Sequence, residues 1–253
     1  MLRIAPTHND GANYGQHTDL KPTNILIELE NPEKTIDKYL SEVPARISNE
    51  DGITLPLREV ITTPLMSEVR EPHIRIVDFG VSSWLDIHLC DMIQSPALRA
   101  PEVTIGAPCD TKVDIWSLGC LIIEFTHGFP PFLGQASEKG SWTVDDDRLA
   151  RTIEILGDFP PELLRKGTRT AEFFNKDGGL LRIRDIGSNS LERLLNGAQM
   201  PFLKPSDMSD AEVPVFIDFL RGMFTIDPTR RKSAAELLQH EWLKCNYCNK
   251  QLE

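Results

Sequence analysis

Apolar positions in the second half of the chain follow a helical pattern. Residues 111–126 are apolar on nearly every face of a helix, and the run stops at Gly128, so we expect a buried central helix there. Residues 145–156 carry a second helical pattern that ends at Gly157. Both stretches end at a glycine, the residue that most readily terminates a helix.

Two capping boxes predict further helices. In each box a serine lies three residues before a glutamate, so that side chains and backbone N–H groups can satisfy one another at a helix start. The boxes are Ser209 with Glu212, for a helix through Phe224, and Ser233 with Glu236, for a helix through Leu243. The second half of the chain is therefore expected to be mostly helical.

The first half contains less helical pattern and two short β-like stretches. Residues 25–29 and 74–77 are apolar or β-branched, and we expect them to form two strands that pair. Residues 1–16 have no helical or alternating period and are expected to be irregular. Residues 30–72 are rich in Glu, Pro and Thr and are interpreted as a surface insertion, partly helical near 36–40.

Composition narrows the class of protein. The chain has 253 residues, 40% hydrophobic and 26% charged, which is typical of a globular domain. Its net charge of −11 argues against a nucleic-acid surface and would suit a basic peptide partner, although many globular proteins are acidic.

We see no apolar run of membrane-spanning length and no signal-peptide core in residues 1–15, so we expect no membrane association and a location in the cytoplasm or nucleus.

The five cysteines do not form a recognisable disulfide or metal framework. Their odd number and wide spacing favour reduced thiols. Cys245 and Cys248 form a CxxC pair, but a zinc site needs four ligands and no second pair accompanies them. Two tail thiols are the favoured interpretation, and a zinc site is the alternative.

Several short motifs carry the candidate chemistry, and they occur in one order along the chain. They are HTDLKPTN at 17–24, DFG at 78–80, APE at 100–102, DIWSLG at 114–119 and DPTRR at 227–231. Taken singly, Asp19 or Asp78 would be no more than a turn aspartate. Together and in this order, the motifs make the chain resemble the protein kinase family. The resemblance implies a mainly α fold, the C-terminal lobe of a kinase with a short β element.

The resemblance assigns one residue to each task of phosphoryl transfer. This reaction needs a carboxylate to orient and deprotonate the substrate hydroxyl, a cation on the transferred group and oxygen ligands for Mg²⁺. By resemblance, Asp19 is the catalytic base and Lys21 neutralises charge on the γ-phosphoryl group. Asn24 and Asp78 would hold Mg²⁺. The implied cofactors are ATP and Mg²⁺.

Five further matches imply structural roles. His17 is expected to pack beneath the turn that contains Gly80, and Asp114 is expected to hold the backbone of the catalytic loop. Glu102 is expected to pair with Arg231. If that pair is buried, removing one partner would cost about 3–5 kcal/mol.

The segment before APE suggests the substrate hydroxyl and the mode of activation. Thr18 stands where many kinases carry an arginine that binds a phosphorylated activation loop. Ser95 falls where a Ser/Thr-specific kinase places a hydroxyl beside the base, and Arg99 matches an arginine typical of the CMGC group. We therefore expect Ser/Thr specificity and activity that does not depend on loop phosphorylation.

Within the CMGC group the chain is most similar to the SR-protein kinases. The similarity rests on HTDLKPTNIL at 17–26, WTVDDDRL at 142–149, TIEILG at 152–157 and EFFNKDG at 172–178. It implies that Asp147 and Glu154, seven residues apart on one helical face, dock Arg/Ser-rich protein substrates. Phe129 stands where the family tends to have aspartate, so docking is expected to be weaker. A solvated acidic face is the other interpretation of these two residues.

The motifs correspond to one lobe only. We find no Gly-rich phosphate loop, no strand lysine and no partner glutamate, so the N-terminal lobe is expected to be absent. The expected organisation is an irregular segment at 1–16, the C-terminal lobe at 17–244 with its insertion at 30–72, and a tail at 245–253. Positioning supplies about 7–11 kcal/mol in catalysis, so transfer by this chain alone is expected to be near background.

The missing lobe also implies uncovered apolar surface. The helix that precedes the catalytic loop in kinases is absent here, so we expect Trp116, Ile122 or Phe125 to be partly uncovered. Such a patch favours aggregation or a partner that covers it.

Three functions remain open at this point. The first is a truncated serine/threonine kinase for Arg/Ser-rich proteins. The second is a pseudokinase-like binding module that docks basic peptides without catalysis. An unrelated helical scaffold with chance motifs is the third.

Overall fold

The structure is a computed structural model that describes residues 15–28, 31–42, 47–50, 53–56, 73–83 and 92–244. The chain divides into two compact units. The first comprises Met1–Asn9 and Thr23–Val77, and the second comprises Asp10–Pro22 and Asp78–Glu253. The predicted tail at 245–253 and most of the predicted irregular segment at 1–16 lie outside the described residues.

The described residues of the first unit form two antiparallel strand pairs and one α-helix. In chain order its elements are β1 (Ile25–Glu28), α1 (Pro32–Glu42), β2 (Ile47–Glu50), β3 (Ile53–Pro56) and β4 (His73–Ile76). β1 pairs with β4 in a register that sets Ile25 opposite Ile76, and β2 pairs with β3. The predicted strand pair and the helix within the insertion are confirmed. The β2–β3 hairpin was not predicted.

The second unit is helical. Its helices are α2 (Pro101–Thr104), α3 (Lys112–His127), α4 (Val144–Leu156), α5 (Pro161–Lys166), α6 (Thr170–Phe173), α7 (Leu191–Leu195), α8 (Glu212–Met223), α9 (Ala234–Leu237) and α10 (Glu241–Lys244). The prediction of a mostly helical fold is confirmed for the described residues. No helix among them is long and apolar enough to cross a membrane.

The central helix is α3, as predicted. It ends at Gly128, whose left-handed φ of 79° suits glycine and whose N–H donates to the Glu124 carbonyl at 2.9 Å. A Cβ at Gly119 would lie 2.9 Å from the Phe224 ring, so glycine lets α3 approach the end of α8 closely. This contact packs α3 against the end of α8, and each helix buries several apolar residues.

Trp116 corrects one expectation about this helix. Its side chain is fully buried, because its ring stacks on Phe132 at 5.0 Å and meets Phe224 edge-on at 5.2 Å between centroids. The expectation that Trp116 is uncovered is therefore wrong. Phe125 is 64% exposed, as expected, and Ile122 is partly buried. Phe125 is the exposed large hydrophobic side chain of α3.

The predicted helix from Ser209 begins later than expected. α8 starts at Glu212 with Ala211 at its N-cap, while the Glu212 carboxylate accepts the Ser209 N–H at 2.8 Å, half of a capping box. Pro214 gives the reason. It has no N–H, so it is tolerated in the first turn of a helix and not in the interior that an earlier start would create.

The predicted helix from Ser233 is interrupted. The capping box is present, since the Glu236 N–H donates to Ser233 Oγ at 3.3 Å and the Ser233 N–H donates to the Glu236 carboxylate at 2.7 Å. However, α9 ends at Leu237 and α10 begins at Glu241, so a single helix through Leu243 is wrong. The His240 ring accepts the Trp242 N–H at 3.2 Å, so a side chain rather than a backbone carbonyl binds this N–H in the first turn of α10.

Candidate active site

The catalytic loop is held by a carboxylate from the first turn of α3. Asp114 accepts the His17 N–H at 2.7 Å through Oδ2 and the Thr18 N–H at 3.0 Å through Oδ1. Burial raises the pKa of the Asp114 carboxyl, while these two N–H bonds favour its charged form. Asp114 therefore fixes the loop backbone immediately before Asp19, as predicted.

Asp19 is engaged through both of its carboxylate oxygens. Lys21 Nζ lies 2.5 Å from Oδ2, and Ser95 Oγ donates to Oδ1 at 3.0 Å. The hydrogen bond to Asp19 raises the pKa of Lys21, and the negative charge of Asp78 acts in the same direction. The fold thus brings together a carboxylate, an ammonium group and a hydroxyl, although Asp19 and Ser95 are 76 residues apart in sequence.

The DFG turn lies against the catalytic loop. The rings of His17 and Phe79 meet edge-on with centroids 4.9 Å apart, so His17, expected beneath this turn, contacts the residue before Gly80. The Ser82 N–H donates to the Phe79 carbonyl at 3.0 Å and closes the turn around Gly80. The side chain of Asp78 is exposed at this edge.

Three non-glycine residues at the site have positive φ. They are Thr18 at 63°, Asp78 at 65° and Gln94 at 66°. Such backbone conformations cost about 1–3 kcal/mol each and persist where surrounding contacts enforce them. Thr18 Oγ1 donates to the Val81 carbonyl at 2.6 Å, and the Gln94 N–H donates to the Thr18 carbonyl at 2.8 Å. The stretch from DFG to APE, residues 78–102, is called the activation segment. These bonds join the catalytic loop to Val81 near its start and to Gln94 near its end.

Gln94 is an anchor that the sequence analysis did not single out. Its buried amide nitrogen donates to the Val113 carbonyl at 2.9 Å and to Ser117 Oγ at 2.7 Å, and its amide oxygen accepts the Ala100 N–H at 3.0 Å. Arg99 donates to the Gln94 carbonyl at 3.0 Å. No signal in a single sequence marks such a residue, because each partner is distant or is a backbone group.

Glu102 and Arg231 form the predicted ion pair. The guanidinium meets the two carboxylate oxygens at 2.7 and 2.8 Å, and both side chains are fully buried. The Arg231 guanidinium also stacks over the Trp116 ring, 5.1 Å from its centroid. The pair therefore links α2 to the turn before α9, beside the first turns of α3.

The predicted docking residues both lie on α4, and Asp147 already has intramolecular partners. Its carboxylate accepts Arg151 Nε and the Gln135 N–H, each at 2.8 Å. Glu154 is partly buried and lies close to Gly187, where a Cβ would be 2.9 Å from Glu154 Oε1. A basic partner at Asp147 would have to compete with Arg151.

Phe129, the position expected to lack an acidic group, belongs to an aromatic cluster. Its ring meets the Phe202 ring edge-on at 5.6 Å and the His127 ring at 6.2 Å between centroids. The side chain packs within this lobe and offers no carboxylate for a basic partner.

The two residues expected to hold Mg²⁺, one in each unit, both carry oxygen donors. Mg²⁺ takes oxygen ligands and is usually bound by one or two carboxylates, with water and phosphate oxygens completing its shell. Asp78 supplies an exposed carboxylate and Asn24 an amide oxygen. Asn24 belongs to the first unit, where its backbone carbonyl accepts the Val77 N–H at 3.0 Å. Within the described residues no cluster of three or more His, Cys, Asp or Glu side chains could hold a metal by itself.

Comparison with known protein families identifies the same family that the motifs of this site resemble. The protein kinase domain family matches residues 8–243, so the chain belongs to that family.

Three relatives show which protein kinases this chain is similar to. The chain is 37% identical to serine/threonine-protein kinase SKY1 of Saccharomyces cerevisiae over 76% of this chain and 24% of that protein. It is 29% identical to serine/threonine-protein kinase SRPK of Physarum polycephalum over 90% of this chain and 55% of that protein. It is 34% identical to human SRSF protein kinase 3 over 67% of this chain and 28% of that protein. The chain thus spans less than two thirds of each relative, and the expected absence of an N-terminal lobe stays a prediction.

Proposed function

We propose that this chain carries the catalytic groups of a serine/threonine protein kinase that acts on Arg/Ser-rich proteins. The observation that carries the proposal is the position of the Asp19 carboxylate, between Lys21 Nζ at 2.5 Å and Ser95 Oγ at 3.0 Å. The loop that presents it is fixed by Asp114. The prediction of a location in the cytoplasm or nucleus accompanies this function.

The arrangement suits proton transfer from a substrate hydroxyl. Asp19 would accept a hydrogen bond from the Ser or Thr hydroxyl and take its proton, while Ser95 and Lys21 hold the carboxylate in one orientation. Lys21 would also provide positive charge beside the transferred group. Bound ATP with Mg²⁺, held by Asn24 and Asp78, would supply the phosphoryl group and neutralise its charge.

The contacts of Thr18 support activity without loop phosphorylation. In many kinases an arginine at this position needs a phosphate to order the activation segment. Here the Thr18 hydroxyl reaches the Val81 carbonyl at 2.6 Å and the Thr18 carbonyl accepts the Gln94 N–H at 2.8 Å, so no phosphate is required for these two connections.

The proposed substrate class rests on charge and likeness. The net charge of −11 and the acidic residues of α4 suit an arginine-rich partner, and one relative is named an SRSF protein kinase. Asp147 and Glu154 are the proposed docking residues. Since Arg151 pairs with Asp147, we propose that a substrate arginine replaces it during docking.

The test is phosphoryl transfer to an Arg-Ser repeat peptide. The chain is incubated with ATP and Mg²⁺, and the proposal requires a measurable rate, whereas the expectation for one lobe alone was transfer near background. Where transfer is measured, Asp19→Asn is expected to lower the rate by about 10²–10⁴-fold, the contribution of a general base. Asp177→Asn, at an exposed carboxylate on a turn outside the site, is the control and should change nothing. Equal transfer by the Asp19→Asn variant would refute the proposal. Peptide binding without any transfer, lost in Asp147→Lys, would instead favour a binding module.

A further inference from the structure

Arg169 lies where the chain after α5 runs along the end of α2. The Arg169 N–H donates to the Ile105 carbonyl at 2.9 Å, and the Thr168 N–H donates to the Gly106 carbonyl at 3.1 Å. The approach is tight, because Gly106 has a φ of 67° and a Cβ there would lie 2.3 Å from Thr168 Oγ1. The backbone of Arg169 is therefore fixed relative to the peptide segment that follows APE.

The guanidinium of Arg169 contacts two residues that are distant in sequence, one before and one after the APE motif. Its Nη1 donates to the Thr104 carbonyl at 3.1 Å and also contacts Met92 Sδ at 3.3 Å. These two residues are 12 positions apart (104 − 92). The Arg169 Nη1 atom therefore contacts both ends of the segment 92–104 and holds them close together.

The rest of the Arg169 side chain is held in this position by α6. Nε contacts both oxygens of the Glu172 carboxylate at 3.2 Å, and Nη2 donates to Glu172 Oε2 at 3.0 Å. The guanidinium also lies over the Phe173 ring, 5.3 Å from its centroid. All three nitrogens are engaged, and a planar fork is needed to satisfy them together.

The closed segment contains the group that orients the base. Ser95, whose hydroxyl donates to Asp19, lies between Met92 and Thr104. We propose that Arg169 is a positioning residue that closes the segment 92–104 and so holds Ser95 and the substrate-binding surface in place. The proposed closure of this segment rests on the contacts of Arg169. The expected effect on peptide phosphorylation rests in addition on the proposed kinase function.

The experiment compares Arg169→Ala with Arg165→Ala in the full chain. Arg165 forms the same kind of i,i+3 ion pair, with Glu162, and that pair is exposed on α5. Hydrogen exchange is measured at the amides of residues 92–106. We expect Arg169→Ala to speed exchange in this segment by about tenfold, as loss of a charge-assisted hydrogen bond would, and Arg165→Ala to leave it unchanged. Arg169→Lys should restore part of the protection, because an ammonium group can still reach one carbonyl.

Kinetics supply the second readout. Arg169→Ala is expected to raise the KM for an Arg-Ser peptide about tenfold and to leave the KM for ATP unchanged. Equal exchange in the two alanine variants would overturn the proposal whatever the kinetics show. If the wild-type chain transfers no phosphate, the proposed function fails, and the exchange measurement alone decides the role of Arg169.

Discussion

The buried ion pair between Glu102 and Arg231 allows the sharpest test of how this lobe is stabilised. Glu102→Gln keeps the shape of the side chain but removes its charge, and it leaves the guanidinium fully buried without a counter-charge. Two charge-assisted hydrogen bonds, at 2.7 and 2.8 Å, are weakened together. Removing one side of a buried pair costs about 3–5 kcal/mol, and two bonds to charged groups at about 1.5–3 kcal/mol each lead to a similar figure.

Arg231 should be less tolerant of substitution than Glu102. Besides the carboxylate, the guanidinium donates to the carbonyls of Thr225 and Lys112, each at 3.0 Å, and to that of Ile226 at 3.4 Å. Arg231→Met would leave these carbonyls and the buried carboxylate without their donor. We therefore expect it to destabilise the fold more than Glu102→Gln does.

The assay is unfolding in urea, monitored both by circular dichroism and by tryptophan fluorescence. The two signals should report one transition. A loss of 3–5 kcal/mol is a large part of the about 5–15 kcal/mol that stabilises a typical domain, so the midpoint should shift strongly. The matched control is Glu162→Gln, whose exposed pair with Arg165 should contribute no more than about 1 kcal/mol. A cost below about 1 kcal/mol for Glu102→Gln would refute the reasoning.

Two further predictions concern the catalytic loop. Asp114→Asn is expected to destabilise the chain by about 1–3 kcal/mol and to speed exchange of the two loop amides that Asp114 binds, because an amide offers one acceptor where a carboxylate offers two. Since burial raises the pKa of Asp114, lowering the pH should protonate it before an ordinary aspartate and speed exchange of the same amides, after correction for intrinsic rates. Unchanged exchange in both experiments would contradict this. Gln16→Leu is expected to stabilise the chain by about 1–3 kcal/mol in urea denaturation, because both amide atoms of Gln16 are buried without a hydrogen-bond partner among the described residues. A lower midpoint in the variant would show that Gln16 does have a partner.

Much of the candidate site could be predicted from the sequence because its residues lie in short ordered motifs. His17, Asp19 and Lys21 lie on one loop, and their spacing alone brings them together. Asp114 and Arg231 were identified in the same way, from motifs further along the chain. The helices α3 and α4 were also predicted to within one residue, since their apolar periods and terminal glycines are local signals.

The sequence therefore determined by itself the family, the residues of the catalytic loop and the principal helices, because each depends on residues close together in the chain. Tertiary structure alone decided that Trp116 is covered by Phe132 and Phe224. It also decided that Gln94 binds the Val113 carbonyl and Arg169 the Thr104 carbonyl, two contacts that no motif specifies. Hydrogen bonds and packing between distant residues depend on where the backbone lies in space, and that position is settled only when the whole lobe has folded.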